Sequence, residues 1–305
     1  MRILFNLFGT GLGNNGGSRT IIRCSETLCQ MGHRVFLYSD ISNKYSWHNF
    51  VDPVFVKERP DNIDVEIATG IRSVEDVVSG DSPIKAYYVR GLELWASSEA
   101  DLLRSFRSLR CFVNSMWLKT YLYDHDIDSD LIYPGLDDSW FYDEGKERTG
   151  MGALFHARHR TKNHRFALRV SRRLQCQIRM LNKDVINASP DECREFYNDI
   201  SVWFAPTELE GLHIPPLEAS LCGCAVVCSD TKRNGMMDYA VDGENCLIYK
   251  ARDLTGASCA VRRLLSDPGL CKNLNLSMVK TIKKRIGTRK RNMKKLIRLL
   301  KEKGS

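Results

Sequence analysis

Two carboxylates eight residues apart, Glu210 and Glu218, bracket the string EGLHIPPLE. Pro215 and Pro216 suit the first turn of a helix, where a missing N–H does no harm, and Gly223 suits its C-terminal cap. The spacing predicts a short helix that starts just after Gly211. An anion at that helix start would meet unpaired backbone N–H groups and the positive end of the macrodipole, and Gly211 lets the backbone approach closely. Carboxylates are good acceptors for sugar hydroxyls. Glu210 in the loop and Glu218 one turn into the helix could therefore grip two hydroxyl-bearing parts of one ligand on either side of a diphosphate. On spacing alone, Glu218 reads as a carboxylate favoured by a helix N-terminus and Glu210 as a solvated loop residue, because two glutamates eight apart are common by chance.

Three other segments carry chemistry. GALFHARHRTKNH (152–164) sets Arg158, Arg160 and Lys162 just after an apolar run; by itself it reads as a solvent-exposed basic turn. The loop Gly9–Arg19 lies between a strand and a helix, a general anion cradle, but G-x-G-x-x-G would need a glycine where Asn14 stands, so the dinucleotide fingerprint fails. YYVRGLELW (87–95) puts Arg90 and Glu93 near a strand end, where open sheets bind ligands; an ordinary salt-linked loop accounts for it equally.

The elements that must position these residues follow the βα pattern of a doubly wound α/β fold. Strands are expected at Arg2–Phe8, RVFLYSD, Pro53–Val56, Asp64–Ala68, Ile84–Val89, Arg110–Asn114 and Leu131–Tyr133. Helices are expected over RTIIRCSETLCQMGH, after Ser18 and ended by Gly32, and at Val74–Val78, Ser97–Arg107 and Met116–Tyr123. DEGKERTG (143–150) has linker composition. A second series follows, with strands at Met151–Ala157, Gln177–Leu181, Ser201–Phe204, Cys224–Ser229 and Cys246–Tyr249, and helices at Arg165–Arg173 and Pro190–Tyr197. The domains are expected at 1–145, 150–279 and a basic amphipathic helix at 280–305, the second domain being compact.

The window EGLHIPPLEASLCGCAVV, with DGENCLIY after it, resembles the E-x7-E motif of the group 1 retaining glycosyltransferases of the GT-B fold, whose members read EG-x-G-x-P-x-x-EA-x-x-x-G-x-P-V and then DG-x-NG-x-L. GGSRTIIRCSETLCQMGHRVFLYS resembles that family's first glycine loop, helix and strand, and VNSMWLKTYL and LIYPGLDDSWF resemble the segments that end its first domain. The resemblance implies two facing Rossmann-like domains, with the acceptor held by the first and the donor nucleotide by the second. By position, it implies that Glu210 contacts the hydroxyls of the donor sugar and Glu218 holds the ribose, with the backbone of Gly211, Leu212 and His213 facing the diphosphate. It also directs Arg158 and Lys162 at the diphosphate, where fixed cations meet the charge that builds on the leaving group and do the work a metal does elsewhere. Gly16, Gly17, Arg19, Arg90 and Glu93 become acceptor or cleft residues. His213 stands where a second glycine is usual; it either adds a hydrogen bond to the phosphates or narrows the pocket.

The implied activity is metal-independent transfer of a sugar, with no cofactor beyond the nucleotide-sugar co-substrate, to a glycan, a lipid-linked glycan or a surface polysaccharide. A sugar-nucleotide epimerase, a phosphorylase, or a degenerate member that only binds membrane or nucleic acid are the alternatives. Eleven scattered cysteines without CxxC spacing fit a reducing cytoplasm, and Cys222, Cys224 and Cys228 read as core residues flanking a strand. The N-terminus reads as a strand rather than a signal peptide. No uncharged apolar run approaches the roughly 18 residues of a membrane span. The net charge of +8 is uneven: Lys280 to Lys303 holds 12 Lys plus Arg and one Glu, a balance of +11, so the body sums to −3. That tail, with Gly287 as a break, packs on the first domain or meets an anionic membrane surface; nucleic acid ranks last among its partners.

Overall fold

The computed structural model describes residues 1–156, 160–182 and 188–302, and every strand ladder within them is parallel. Near-continuous apolar runs such as Ile3–Phe5, Cys111–Val113 and Val202–Phe204 are buried on both faces, as strands covered by helices on each side must be. The chain divides into two units, Met1–Gly135 with Gly287–Ser305, and Leu136–Ile286.

The first unit contains β1 (Arg2–Asn6), β2 (Arg34–Tyr38), β3 (Val54–Val56), β4 (Val65–Ala68), β5 (Ile84–Val89), β6 (Arg110–Val113) and β7 (Ser129–Leu131). Their order is β3-β2-β1-β4-β5-β6-β7, so the winding reverses between β1 and β4. Helices α1 (Gly16–Gln30), α2 (Val74–Ser79), α3 (Glu99–Ser108) and α4 (Met116–Tyr123) connect them. The last strand begins two residues before the expected Leu131, because Ser129–Leu131 is the stretch that registers with Cys111–Val113 of β6. A period-2 reading of so short a segment does not fix its register.

The second unit contains β8 (Met151–Phe155), β9 (Ile178–Asn182), β10 (Val202–Ala205), β11 (Ala225–Ser229) and β12 (Leu247–Tyr249), ordered β12-β11-β10-β8-β9. Its helices are α5 (His164–Leu174), α6 (Pro190–Asn198), α7 (Ile214–Leu221), α8 (Leu254–Ser266) and α9 (Pro268–Arg285). Here the winding reverses between β8 and β10. The sequence reading passed over α8 and the body of α9, although each starts on an aspartate cap: Asp253 accepts from Thr255 and Gly256 N–H at 3.0 Å each, and Asp267 from Leu270 N–H at 2.8 Å.

The tail breaks at Gly287, whose φ of +70° is open to glycine, and continues as α10 (Arg289–Glu302). Met293, Leu296, Ile297 and Leu300 of α10 join Ile21, Ile22 and Leu28 of α1 in the core of the first unit. Burial of each such side chain contributes about 1.5–3 kcal/mol. Gly135 makes this return tight: its φ is +83°, and a Cβ there would lie 2.4 Å from the backbone of Arg289. No described helix is long and apolar enough to cross a membrane.

Candidate active site

In an open parallel sheet the loops leaving the carboxyl ends of two strands diverge where the winding reverses, and ligands sit in the crevice between them. In the second unit those are the loops after β8 and β10, and they contain the basic turn and the Glu210 segment. A backbone bond from Glu208 N–H to the Thr161 carbonyl (2.9 Å) and one from Asn163 Nδ2 to Glu208 Oε1 (3.3 Å) lock the two loops together. Arg252 grips the same Glu208 carboxylate from Nε at 3.2 Å and Nη2 at 3.3 Å. The result is an ion pair between Lys162 and Glu210, both partly exposed. Arg158 falls outside the described residues; Arg160 is exposed on the short turn that carries Lys162.

The helix expected after Gly211 is α7. Ile214 is its first residue, Pro215 and Pro216 follow, and Gly223 closes it at φ +96° with Cys224 N–H on Ala219 O (2.9 Å) and Gly223 N–H on Ser220 O (3.1 Å), a Schellman pair. The prolines also correct the picture of the anion site. They remove two N–H groups from the first turn, so donors for a phosphate come mainly from the loop before the helix rather than from the helix itself. The N–H groups of Leu212 and His213 donate to no described group. Glu218 is 6% exposed, and its Oε2 accepts from the Tyr197 hydroxyl at 3.4 Å.

A brace that the sequence did not disclose holds this loop. Residues 233–235 run beside it, with Glu210 N–H on Arg233 O (3.1 Å) and Gly235 N–H on Gly211 O (2.8 Å). Buried Asn234 donates to Thr207 O at 2.9 Å and accepts from Met236 N–H at 3.0 Å. The buried Tyr239 hydroxyl donates to His213 O at 2.8 Å, and Asn245 holds Tyr239 O at 2.8 Å. The DGENCLIY segment thus supports the loop indirectly, through Asn245 and Tyr239. Cys222, Cys224 and Cys228 are buried free thiols around β11.

In the first unit the corresponding reversal brings together the loops after β1 and β4. Gly16 and Gly17 open α1, which Asn15 caps by accepting from Ser18 N–H at 2.8 Å. Arg90, just past β5, donates to Gly17 O at 2.7 Å and to Thr69 O at 2.8 Å. Glu93 accepts from Ile71 N–H at 3.2 Å and from Tyr87 Oη at 3.3 Å; burial raises its carboxyl pKa. Four of the five first-unit candidates therefore lie around one reversal point. Arg19 instead packs its buried guanidinium over Trp47, 5.9 Å from the ring centroid.

Comparison with known proteins agrees with this fold. Residues 156–285 match the family model described as Glycosyl transferases group 1. No curated protein sequence matches the chain. Among solved structures, sucrose-phosphate synthase from Thermosynechococcus elongatus superposes with a TM-score of 0.76 at 13% identity, covering 99% of this chain and 98% of that one. Anabaena HepE, solved in complex with UDP-glucose, gives 0.77 at 12% identity, covering 99% and 100%. A glycosyltransferase from Rickettsia africae gives 0.70 at 10% identity, covering 99% and 98%. The second unit thus matches the group 1 glycosyltransferase model over residues 156–285, and the chain along its length has the GT-B fold of these solved structures.

Proposed function

We propose that the protein is a retaining glycosyltransferase that moves a sugar from a nucleoside-diphosphate sugar to a hydroxyl of a glycan or lipid-linked glycan, without a metal ion, in the cytoplasm. The observation that carries this reading is the meeting of Lys162 and Glu210 at the switch point of the second sheet, on a loop in which the N–H groups of Leu212 and His213 donate to no described group. In this reaction the bond from the anomeric carbon to the diphosphate oxygen breaks, and a bond from the same carbon to the acceptor oxygen forms on the same face. The acceptor proton passes to the departing phosphate oxygen. Lys162, with Arg158 as its partner, offsets the charge that gathers on the leaving diphosphate. Glu210 orients the sugar through its hydroxyls, and Glu218 holds the ribose. HepE was solved with UDP-glucose, which makes uridine diphosphate sugars the first donors to test. A thermal-shift screen of UDP-, GDP- and dTDP-sugars, followed by calorimetry on Lys162→Ala and Glu218→Ala, tests the assignment; unchanged donor affinity in both variants would overturn it.

A second observation bears on the acceptor. The apolar face of α10 is spent on the core of the first unit, while Lys290, Arg291, Lys294, Lys295, Arg298 and Lys301 are exposed. Such a helix attaches to an anionic membrane by charge alone, at about 1 kcal/mol per cation near the surface. Flotation with phosphatidylserine vesicles, at low and then high salt, checks this: binding should be lost in salt, and absence of binding at low salt removes the membrane from the reading.

A further inference from the structure

The net charge of −3 outside the tail hides a strongly basic face on the second unit. Arg165, Arg169, Arg172 and Arg173 stand at i, i+4, i+7 and i+8 of α5, so they project from one side of that helix, and all four are exposed. α8 packs beside α5, and both bury their apolar sides in one core, through Phe166, Ala167 and Val170 of α5 and Ala257, Val261 and Leu264 of α8. The exposed Arg262 and Arg263 of α8 extend the same outer face. Neither helix contains an acidic residue. The aspartates at the ends of α8 are spent on caps, Asp253 on Thr255 and Gly256 N–H and Asp267 on Leu270 N–H.

Other arginines of this unit have carboxylate partners. Arg148 pairs with Asp143, Arg179 with Asp199 at 3.0 Å, Arg194 with Glu144 at 3.0 Å and Arg252 with Glu208 at 3.2 Å. The arginine side chains of α5 and α8 pair with no carboxylate and donate no hydrogen bond among the described residues; Arg169 lies over the Phe166 ring, 5.9 Å from its centroid. The arrangement works against the fold. Like charges three and four residues apart on a helix repel, and Arg165, in the first turn of α5, meets the positive end of the helix dipole. A single-sign field with no partner in its own unit attracts anions from outside.

Shape decides which anion fits. Two helices side by side, with axes about 8–10 Å apart and each about 10–12 Å across, make a layer about 20 Å wide. That is broader than the major groove of duplex DNA, about 12 Å, so the layer cannot enter it. Neither helix exposes a Phe, Tyr or Trp on which a single-stranded base would stack. A broad array of cations with no exposed large apolar side chain suits a plane of anionic headgroups, met by charge alone, and about four to eight basic residues are enough for such attachment. We propose that the outer face of α5 and α8 is a docking surface for an anionic phospholipid membrane, separate from α10. Each guanidinium can take a headgroup phosphate through two parallel N–H bonds. α5 begins two residues after Lys162, so this contact holds the donor unit itself at the lipid surface, whereas α10 belongs to the first unit. Such attachment is independent of donor turnover.

The experiment uses the full chain with the exposed cations of α10 changed to glutamine, so that α10 no longer binds by charge, and floats it with phosphatidylserine–phosphatidylcholine vesicles. Binding is expected at low salt, is lost at high salt and is absent from pure phosphatidylcholine. Adding Arg165→Gln, Arg169→Gln, Arg172→Gln and Arg173→Gln should weaken the partition by about 10²–10³-fold. The thermal midpoint should stay level or rise, because like charges are removed. Phenylglyoxal footprinting of the wild type gives a reading that needs no variant: vesicles should protect these four arginines from modification. Absence of binding in the chain lacking the α10 cations, undiminished binding after the four exchanges, or equal modification with and without vesicles would each overturn the proposal, and none of them touches the donor site. If the four exchanges abolish retention of a short duplex DNA and leave vesicle binding unaltered, the face belongs to nucleic acid and the membrane proposal falls.

Discussion

Each unit places a glycine-bearing loop and a helix start at the reversal point of a parallel sheet, yet the two are finished in opposite ways. In the first, Asn15 caps α1, and Arg90 spends two of its N–H groups on the carbonyls of Gly17 and Thr69. In the second, α7 has no side-chain cap and two prolines in its first turn, and the Lys162–Glu210 pair is partly open. The first loop is closed by its own chain; the second is held by Asn234, Tyr239 and Asn245, while the N–H groups of Leu212 and His213 donate to no described group. Backbone N–H groups held in place by a braced loop are what preorganised binding of an anion requires. The same topology therefore yields one tied-down loop and one receptive loop, and the difference lies in where the hydrogen bonds go.

The sharpest way to break this contrast is Lys162→Ala. Loss of a fixed cation facing a leaving diphosphate should lower kcat/KM by about 10²–10³-fold, read as release of nucleoside diphosphate from the selected donor. Stability should change by under about 1 kcal/mol, because the ion pair is partly exposed. Activity within a few-fold of wild type would remove the distinction between the two loops. Glu218→Gln comes next. A charged acceptor for ribose hydroxyls contributes about 1.5–3 kcal/mol, so UDP affinity should fall by about tenfold or more, whereas 2′,3′-dideoxy-UDP should bind both proteins alike. An equal loss for both ligands would move Glu218 from the ribose into the packing around Tyr197.

The contrast was only half legible in the chain. The α7 segment could be read because prolines and glycines act locally: Pro215, Pro216 and Gly223 announce a helix start and stop whatever surrounds them. The brace could not, since Tyr239 meets His213 across 26 residues and Asn234 meets Thr207 across 27, and no periodicity reports such pairs. The meeting of Lys162 and Glu210 depends on the strand order β11-β10-β8-β9, which is a property of the whole sheet. His213 stood out as a departure from a motif, but its left-handed backbone and unpaired Nδ1 belong to the fold. The aspartate caps of α8 and α9 were local signals that a reading centred on apolar periodicity passed over.

The units should also differ in the sign of their response to pH. His213 has an ordinary pKa near 6.5, lowered to about 3 by burial and Lys162. Below 6.5 the unfolded chain takes a proton that the folded one refuses, so its contribution is present above pH 6.5 and is lost as pH falls toward 3. Glu93 runs the other way. Burial raises its pKa from an ordinary value near 4.5, so the folded state keeps a proton that the unfolded state has lost; that contribution is present below 4.5 and fades as pH rises through the raised value. Urea midpoints measured across pH should show His213→Asn flattening the acid side, by up to about 1.4 kcal/mol per pH unit. Glu93→Gln should flatten the slope just above 4.5. Slopes of the same sign from the two variants would contradict the contrast.

The smallest effect separates two adjacent glycines of the first loop. A Cβ at Gly16 would meet nothing within 4 Å, whereas one at Gly17 would lie 3.0 Å from Arg90 Nη1 and 3.1 Å from Asn15 Oδ1. Alanine restricts the unfolded chain at either position and favours a helix, so Gly16→Ala should stabilise by about 0.5 kcal/mol, a rise of about 1–2 °C in the thermal midpoint. Gly17→Ala gains the same entropy but must push Arg90 and Asn15, the groups that close this loop, and its net effect should be a loss of about 0.5–1 kcal/mol. The difference in sign arises only if those hydrogen bonds are held in place. If both variants were stabilised alike, Arg90 would be free to move aside, and the first loop would not be tied down by these bonds.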